Sequence, residues 1–326
     1  MMIFRTISVR SAALAALLAV TVSMAGGVTV CGQEILRGHE PRSSSALNLL
    51  PVRRDAGVAY AAIGDEVLRL DVFRSRETTA EEPLPLLVFV HGGGWMTGRR
   101  FDIPHELVLF VDRGFVVATI DYRCVQGNRF LANVHDVKAA VRFLRANAAR
   151  FGADPDRIAL VGFAAGGHLA TLAGLAGGDL EGDVGDHDDV SSAVHALVSF
   201  QGPMNLTTIL VQATPAGKGK HRVPVELLLG GPPEKRAPLA LKASPVAHVR
   251  PGAPPLLLVY GGIDDQVPHE QGGEMARAYA RHGAAAELVV LEEANHKSLL
   301  TFDDRREALL SGFLDRRLAR TDDVVR

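Results

Sequence analysis

The amino-acid sequence predicts an α/β protein with a mostly parallel central sheet and helices on both faces. Apolar runs alternate with helical patterns along the chain, which is typical of parallel strands joined by right-handed crossovers. Several runs are continuous stretches of Val, Leu and Ile, as expected for strands that helices cover on both faces. The predicted strands are Val67–Phe73, Leu86–His91, Phe115–Asp121, Ile158–Gly162, Ala193–Phe200, Leu256–Tyr260 and Glu287–Leu291.

The helices between these strands are predicted from apolar spacing or from runs of small residues. Val134–Ala148 repeats apolar residues every three or four positions, which predicts a helix with Arg142 on its outward face. Gly166–Ala176 is small and apolar throughout, as expected for a helix packed closely on a sheet. Glu270–Arg281 and Arg305–Leu318 are amphipathic and predict two further helices.

The 326 residues fit one α/β domain, predicted for residues 57–326, rather than two domains. Residues 203–250 interrupt the alternation with Pro, Gly and Lys. An excursion of that length in a compact α/β domain usually shapes a site, so a cap or insertion is predicted there. Residues 26–56 are mixed and polar, which predicts an N-terminal arm or linker.

Residues 1–25 have the pattern of an export signal. Arg5 and Arg10 precede the apolar stretch Ala12–Val22, and Ser23-Met24-Ala25 offers a cleavage site of the form small-x-small. The apolar stretch is shorter than the ~20 residues that a membrane-spanning helix needs. Cleavage after Ala25 is therefore preferred to a membrane anchor. The mature chain is predicted to be exported, periplasmic or secreted, with no integral membrane span.

The two cysteines exclude a disulfide-rich scaffold. Cys31 lies close to the predicted cleavage site, as in a lipoprotein, but Val30 is larger than the small residue usual before a lipid-modified cysteine. Lipid attachment is therefore the less favoured interpretation. Pairing of Cys31 with Cys124 stays open, because a sequence does not supply the geometry that a disulfide requires.

Composition and charge exclude several other classes of protein. There are 35 Lys and Arg residues against 37 Asp and Glu, so the chain lacks the basic surface of a nucleic-acid binder. The hydrophobic share of 47% is too high for a disordered chain. The 12 histidines show no metal-ligand spacing, and no metal site is predicted. An acidic stretch at residues 179–189 lacks EF-hand spacing and is interpreted as a solvated loop.

A run of three glycines directly follows the strand that begins at Leu86, in His91-Gly92-Gly93-Gly94-Trp95. Consecutive glycines are costly unless the backbone must bend sharply or approach something closely. Their unshielded N–H groups are suited to holding an oxyanion, although a tight turn alone would also use them. His91 and Trp95 are candidates for contacting a substrate. For Trp95, a place in the core beside the loop is an equal alternative.

A second motif, Gly162-Phe163-Ala164-Ala165-Gly166-Gly167-His168, joins a predicted strand to the small-residue helix. Its small residues allow a sharp strand–turn–helix connection of the G-x-S-x-G kind, the nucleophile elbow, but Ala164 stands at the central position. A phosphate-binding turn is the alternative. The glycines do not fit G-x-G-x-x-G, and no Gly-Lys-Ser/Thr follows.

The third motif is an acid followed by a histidine, each after a predicted strand. Asp264 and Asp265 follow the strand that ends at Tyr260, and His296 follows the strand that ends at Leu291. Ends of parallel strands meet at one edge of a sheet, where a carboxylate can orient an imidazole and stabilise its charged form. The chain order of elbow, acid and histidine is that of α/β-hydrolases.

These motifs together resemble the small carboxylesterases of the α/β-hydrolase fold. Within that fold the chain is most similar to exported feruloyl- and acetylxylan-esterase-like enzymes, which are related to esterases of the hormone-sensitive-lipase type. The resemblance covers roughly residues 55–318. It also rests on Leu70-Asp71-Val72-Phe73, Asp121-Tyr122-Arg123, Asp154-Pro155-Asp156-Arg157-Ile158, Leu180-Glu181-Gly182, Gly202-Pro203, Ala243-Ser244-Pro245 and Val267-Pro268.

The resemblance implies a role for each residue of the site. It implies an oxyanion hole formed by the N–H groups of Gly93, Gly94 and Ala165, with Asp264 as the acid and His296 as the general base. Asp265 is the alternative acid, and Asn205 stands where an Asp is more familiar. The implied substrate is an ester on a small molecule or a polysaccharide, and no cofactor is required.

Ala164 is the departure from the family pattern. A methyl group cannot attack a carbonyl carbon, so no acyl-enzyme can form at this position. Three explanations stay open: an engineered substitution in an ordinary esterase, a natural pseudoenzyme that binds an acylated or carbohydrate ligand, and hydrolysis by water that His296 activates. Ser298 lies two residues beyond His296, but nothing in the sequence places it at the elbow.

Overall fold

The computed structural model describes residues 52–125, 130–177, 180, 184–300 and 302–319. Within them the predicted α/β architecture is confirmed, and every strand and helix predicted above is present within a few residues of its expected bounds. The predicted export signal, most of the predicted arm, Cys31 and part of the acidic stretch lie outside the described residues. The possible pairing of Cys31 with Cys124 is therefore untested.

The described strands form one sheet of eight in the order β1-β2-β4-β3-β5-β6-β7-β8. β2 runs antiparallel to β1 and β4, and the remaining neighbours are parallel. The sheet is thus mostly parallel, with its antiparallel pairs at one edge. The strands are β1 (Val52–Ile63), β2 (Glu66–Ser75), β3 (Leu84–Val90), β4 (Val116–Ile120), β5 (Ala153–Phe163), β6 (Ala196–Phe200), β7 (Leu256–Gly261) and β8 (Ala286–Leu291).

Strand β1 was not predicted, and residues 52–56, assigned to the arm from sequence, lie within it. The strand is at the edge of the sheet and most of its residues are at least partly exposed, so it carries no continuous apolar run. Its charged residues instead pair with those of its one neighbour in the sheet, β2. The Arg54 guanidinium donates to the Asp71 carboxylate over 2.6 Å, and Asp71 is 1% exposed. Residues 52–56 thus belong to the sheet rather than to the predicted arm.

Helices cover both faces of the sheet. One core cluster packs α2, α4, α6 and α8 on one face, and a second packs α1 and α9 on the other. Arg142 of α2 is buried, at 1% exposed, and donates to the Val184 carbonyl over 2.7 Å. The prediction that Arg142 points outward is wrong, because α2 packs against α4 as well as against the sheet. The helices are α1 (His105–Val108), α2 (Ala132–Ala146), α3 (Ala148–Phe151), α4 (Ala165–Ala176), α5 (Ile209–Gln212), α6 (Pro215–Leu229), α7 (Ala237–Lys242), α8 (Glu270–Arg281) and α9 (Asp304–Leu318).

A buried polar network fixes the start of the segment between β6 and β7 to α8. Gln271 is fully buried, and its side-chain oxygen accepts from the backbone N–H groups of Met204 and Asn205. The side-chain nitrogen of Asn205 donates to the Glu274 carboxylate over 2.6 Å. This contact gives a physical reason for Asn at 205, because an aspartate there would place two carboxylates against each other.

We expect Asn205→Asp to lower the free energy of unfolding by about 1–2 kcal/mol at neutral pH, because it replaces a hydrogen bond by charge repulsion. Urea unfolding measures the change. Adding Glu274→Gln should restore most of the loss, since the new amide can donate to the introduced carboxylate. An equal loss with Glu and with Gln at position 274 would contradict the explanation.

Candidate active site

The turn between β5 and α4 has the backbone shape of a nucleophile elbow. Ala164 lies in it with φ 48° and ψ −119°, a conformation that residues other than glycine rarely adopt. A Cβ on Gly166 would lie 2.0 Å from the Val90 carbonyl oxygen, and one on Gly162 would lie 2.3 Å from the Gly166 carbonyl carbon. Glycines at these two positions therefore let α4 begin directly against the ends of β3 and β5.

The glycine loop after β3 lies against this elbow. A Cβ on Gly92 would approach the Ala164 Cβ to 3.7 Å. Gly93 has φ 103°, and its carbonyl oxygen accepts from the N–H groups of Met96 and Thr97 in a tight turn. Ala165 is the first residue of α4, so its N–H has no acceptor within the helix and lies at the positive end of the helix dipole. The loop and the helix start thus bring backbone donors beside position 164.

Trp95 is in the core at 1% exposed. Its indole N–H donates to Nδ1 of His168 over 3.1 Å, and Nε2 of His168 donates to the Ala243 carbonyl over 2.7 Å. These contacts fasten the glycine loop to α4. They favour the core interpretation of Trp95 over contact with a substrate. Sequence reasoning missed His168, whose only sign was a polar residue inside a small, apolar helix.

His91 is also buried, at 1% exposed. Its ring stacks on Tyr122 at a centroid separation of 4.2 Å, and its Nδ1 lies 2.9 Å from the Gly92 carbonyl oxygen. Burial lowers the pKa of His91. The side chain thus supports the loop from beneath, which argues against the substrate contact suggested from the sequence.

Full burial lowers the pKa of His168 to about 4, from 6.5 for an exposed histidine. Between these pH values the folded chain binds fewer protons than the unfolded chain. We therefore expect the contribution of His168 to the free energy of unfolding to be complete above pH 6.5 and to be lost as the pH falls through 4. The total loss should be about 3 kcal/mol. Urea unfolding at pH 7.5 and 4.5 tests this. The decrease should be clearly smaller in His168→Gln, whose side chain does not titrate. Equal decreases in both chains would contradict the expectation.

The acid and the histidine meet above the ends of β7 and β8. Nδ1 of His296 donates to one carboxylate oxygen of Asp264 over 2.8 Å, and the other oxygen accepts from the N–H groups of Gln266 and Val267. The Asp264 side chain is fully buried and that of His296 is 12% exposed. Asp265, the alternative acid, is 43% exposed and pairs with Lys220. Asp264 is thus the carboxylate that bonds the imidazole.

The loop that carries His296 is closed by its own hydrogen bonds. The Ser298 hydroxyl donates to the Asn295 carbonyl over 3.0 Å and accepts from the Asn295 N–H over 2.9 Å. The Asn295 side chain accepts from the Ser298 N–H. Ser298 therefore serves the turn, and its contacts are with Asn295 rather than with the elbow.

Helix α6, in the segment predicted as a cap, connects two sides of the site. A Cβ on Gly217 would lie 2.0 Å from the Asp265 carbonyl oxygen, so the start of α6 presses on the loop that carries the acid. Further along α6, Pro224 lies close to Gly94. The Lys220–Asp265 ion pair adds a charged contact at 2.6 Å. The segment therefore bounds the site, while its role as a cap stays a prediction.

Two features are absent from the part of the chain that the structure describes. No group of three or more His, Cys, Asp or Glu side chains among the described residues could hold a metal ion. No described helix is long and apolar enough to cross a membrane.

Comparison with known proteins identifies the family. The BD-FAE family model matches residues 70–279, which is more than half of the chain. The chain belongs to the BD-FAE family. The match takes in the glycine loop, the elbow and Asp264, and ends before His296.

Curated relatives of this BD-FAE protein include several esterases. Esterase LipC of Mycobacterium tuberculosis is 33% identical over 225 residues, which are 67% of this chain and 54% of the relative. Probable carboxylic ester hydrolase LipM of the same organism is 29% identical over 241 residues, 72% of this chain and 54% of the relative. The chain thus spans about half the length of these relatives.

Solved structures agree with this family. A truncated carbohydrate esterase from gut microbiota superposes with a TM-score of 0.74 at 25% identity, covering 82% of this chain and 97% of that one. An esterase of Thermogutta terrifontis, Est2, gives a TM-score of 0.67 at 28% identity, covering 81% and 94%. The predicted α/β-hydrolase fold is confirmed, and the chain is carboxylic-ester-hydrolase-like.

Proposed function

We propose that this BD-FAE chain binds carboxylic esters at the elbow and, in this form, makes no acyl-enzyme. The observation that carries the proposal is the Asp264–His296 pair, a fully buried and hydrogen-bonded carboxylate that holds an imidazole in a chain whose elbow has no nucleophile. Burying a carboxylate is unfavourable unless it is paired and hydrogen-bonded. A carboxylate held in this way can orient the imidazole and stabilise its charged form, which is the part that the acid plays in a serine-esterase site.

The N–H groups of Gly93, Gly94 and Ala165 are the proposed donors to the ester carbonyl oxygen. Their support is the approach of the glycine loop to Ala164 and the free N–H at the start of α4. Pairing of an ester oxygen with such donors does not depend on the serine hydroxyl. Ester binding and ester cleavage are therefore separable here, and Ala164 removes only the step that forms a covalent bond.

The proposed ligand is an ester carried by a small molecule or a polysaccharide. The name of one solved neighbour, a carbohydrate esterase, supports the second possibility. An engineered trap and a natural pseudoenzyme would both bind such an ester without cleaving it. Water activated by His296 would instead give slow turnover that disappears in His296→Ala.

Titration of the chain with p-nitrophenyl acetate, followed by backbone amide NMR, tests the proposal. We expect the amide signals of Gly93, Gly94 and Ala165 to shift, with p-nitrophenolate release close to the uncatalysed rate. The matched control is p-nitrophenol, which lacks the carbonyl and should leave these signals in place. Unchanged amide signals of these three residues in a large excess of p-nitrophenyl acetate would overturn the proposal.

Export directed by residues 1–25 is a further part of the proposal, supported by their signal-peptide pattern. The intact mass of the protein recovered from a secreting host tests it. Loss of the residues up to Ala25 is expected. A mature chain that retains them, or one carrying lipid on Cys31, would contradict it.

A further inference from the structure

Gln201 is a buried side chain that connects to the loop of His296. It is the first residue after β6 and is fully buried. Its side-chain nitrogen donates to the backbone carbonyl of His296 over 2.9 Å. Nothing in the sequence singled it out, because the contact joins residues that are far apart in the chain.

The backbone of Gln201 is held in an unusual conformation. Its φ is 48°, in the left-handed region that residues other than glycine rarely adopt, and its N–H donates to the Val259 carbonyl over 2.7 Å. The next residue, Gly202, accepts from the Tyr260 hydroxyl, and a Cβ on it would lie 2.8 Å from the Gly167 carbonyl carbon. With its backbone wedged in this way, Gln201 can place its carboxamide in only a narrow range of positions.

The end of β6 also touches the elbow. The carbonyl of Phe200 accepts from the N–H of Ala164 over 2.9 Å. Two consecutive residues, Phe200 and Gln201, therefore bond to the elbow backbone and to the backbone of His296. Strain of this kind persists where the surrounding structure imposes it, and it concentrates at functional sites.

The other contacts of the His296 loop do different work from the bond that Gln201 donates to the His296 carbonyl. Asp264 holds the imidazole, and the Asn295–Ser298 turn holds the residues on either side of His296. The bond from Gln201 is a side-chain bond to the His296 carbonyl itself. This bond fixes the position of the His296 loop relative to the end of β6, which also contacts the elbow.

We propose that Gln201 is a positioning residue, whose carboxamide N–H holds the His296 backbone so that the imidazole stays in register with Asp264 and the elbow. This inference rests on the proposed function, because it assigns the register of a residue that would act on a bound ester. Gln201 acts through His296 and is not itself a catalytic residue.

The test is Gln201→Met, which keeps the length and shape of the side chain and removes the donor. The side-chain oxygen of Gln201 is buried with no hydrogen-bond partner among the described residues. The substitution removes this unpartnered oxygen together with the donor to His296, and the gain from the first change offsets the loss from the second, so the variant should unfold at nearly the same urea concentration. If Gln201 had a purely structural role, Gln201→Met would leave the His296–Asp264 hydrogen bond unchanged.

The first readout needs neither substrate nor activity. Exchange of the His296 Nδ1 proton, which is shared with Asp264, is followed by NMR in the chain with Ala164. We expect exchange to become about tenfold faster in Gln201→Met, as loss of one hydrogen bond predicts. Gln212→Met is the matched control, because that glutamine also bonds through its carboxamide but contacts Glu274 and Gln271 in the remote network. It should leave the His296 proton unchanged.

The second readout is turnover after Ala164→Ser, where adding Gln201→Met should lower kcat about tenfold with KM unchanged. An unaltered exchange rate of the His296 proton overturns the inference, whatever happens to kcat. The proposed function fails if the amide signals of Gly93, Gly94 and Ala165 do not respond to the ester, and in that case the exchange measurement still decides the role of Gln201. Should Gln201→Met not fold, Gln201→Ala gives the same comparison.

Discussion

Replacing Ala164 by serine is expected to raise the rate of p-nitrophenyl acetate hydrolysis by at least about 10⁴-fold. Loss of the serine from a complete triad costs on the order of 10⁶ in turnover, and we propose that Asp264, His296 and the glycine loop supply the rest of such a site here. The elbow already has its strained backbone, and His296 already bonds to Asp264 at 2.8 Å. The added hydroxyl supplies the nucleophile that attacks the carbonyl carbon and gives its proton to the imidazole.

Three further variants control this experiment. Ala164→Gly relaxes the backbone without adding a hydroxyl, so it should stay as inactive as the parent chain. In the Ala164→Ser background, adding Asp264→Asn should remove about 10⁴-fold of the gain, since the imidazole loses its orienting carboxylate. Adding His296→Ala should remove nearly all of it. A folded Ala164→Ser chain without any gain would show that the assigned elbow, acid and base do not act together.

The second large effect is expected from Gly166→Ala, which should lower the free energy of unfolding by more than about 4 kcal/mol. The added methyl would lie 2.0 Å from the Val90 carbonyl oxygen and 2.3 Å from the His91 carbonyl oxygen. Both atoms are backbone at the end of a central strand, so neither can move without breaking the sheet. Urea unfolding measures the loss, and failure to express folded protein is its extreme form.

Gly219→Ala is the matched control for this change. Gly219 is also helical, in α6, but a Cβ there meets nothing within 4 Å. The substitution should stabilise the chain by about 0.5–1 kcal/mol, because alanine has the higher helix propensity. If both substitutions had the same effect, the close packing of α4 against β3 would not be the reason for glycine at the elbow.

Elements with one dominant signal could be predicted from the sequence. The central strands are continuous apolar runs because both of their faces are covered, and the amphipathic helix Glu270–Arg281 has the bounds predicted for it. Strand β1 escaped prediction because an edge strand is stabilised by pairing with its neighbour and by ion pairs such as Arg54–Asp71. Arg142 was misplaced because helical spacing cannot show how many neighbours a helix has.

In the candidate site, too, features with a clear sequence signal could be predicted, and features set by distant contacts could not. Asp264 and His296 could be paired in advance because ends of neighbouring parallel strands meet, and β7 and β8 are neighbours in the sheet. The burial of Trp95 could not be derived, since it depends on His168, which lies far along the chain. Gln201 was equally hidden, because its contact with His296 joins residues 95 positions apart and follows from no local pattern.

The strained backbone at Ala164 has a consequence for how readily this protein could change its chemistry. Its φ of 48° is imposed by Gly162, Gly166 and the bond to Phe200, none of which involves the side chain at position 164. Any small residue at position 164 should therefore adopt the same backbone conformation and direct its side chain as Ala164 does. Alanine and serine codons can differ by a single base, so one point mutation separates the chain with Ala164 from a chain with the proposed nucleophile. Cysteine in place of Ala164 would offer a thiol route through the same geometry.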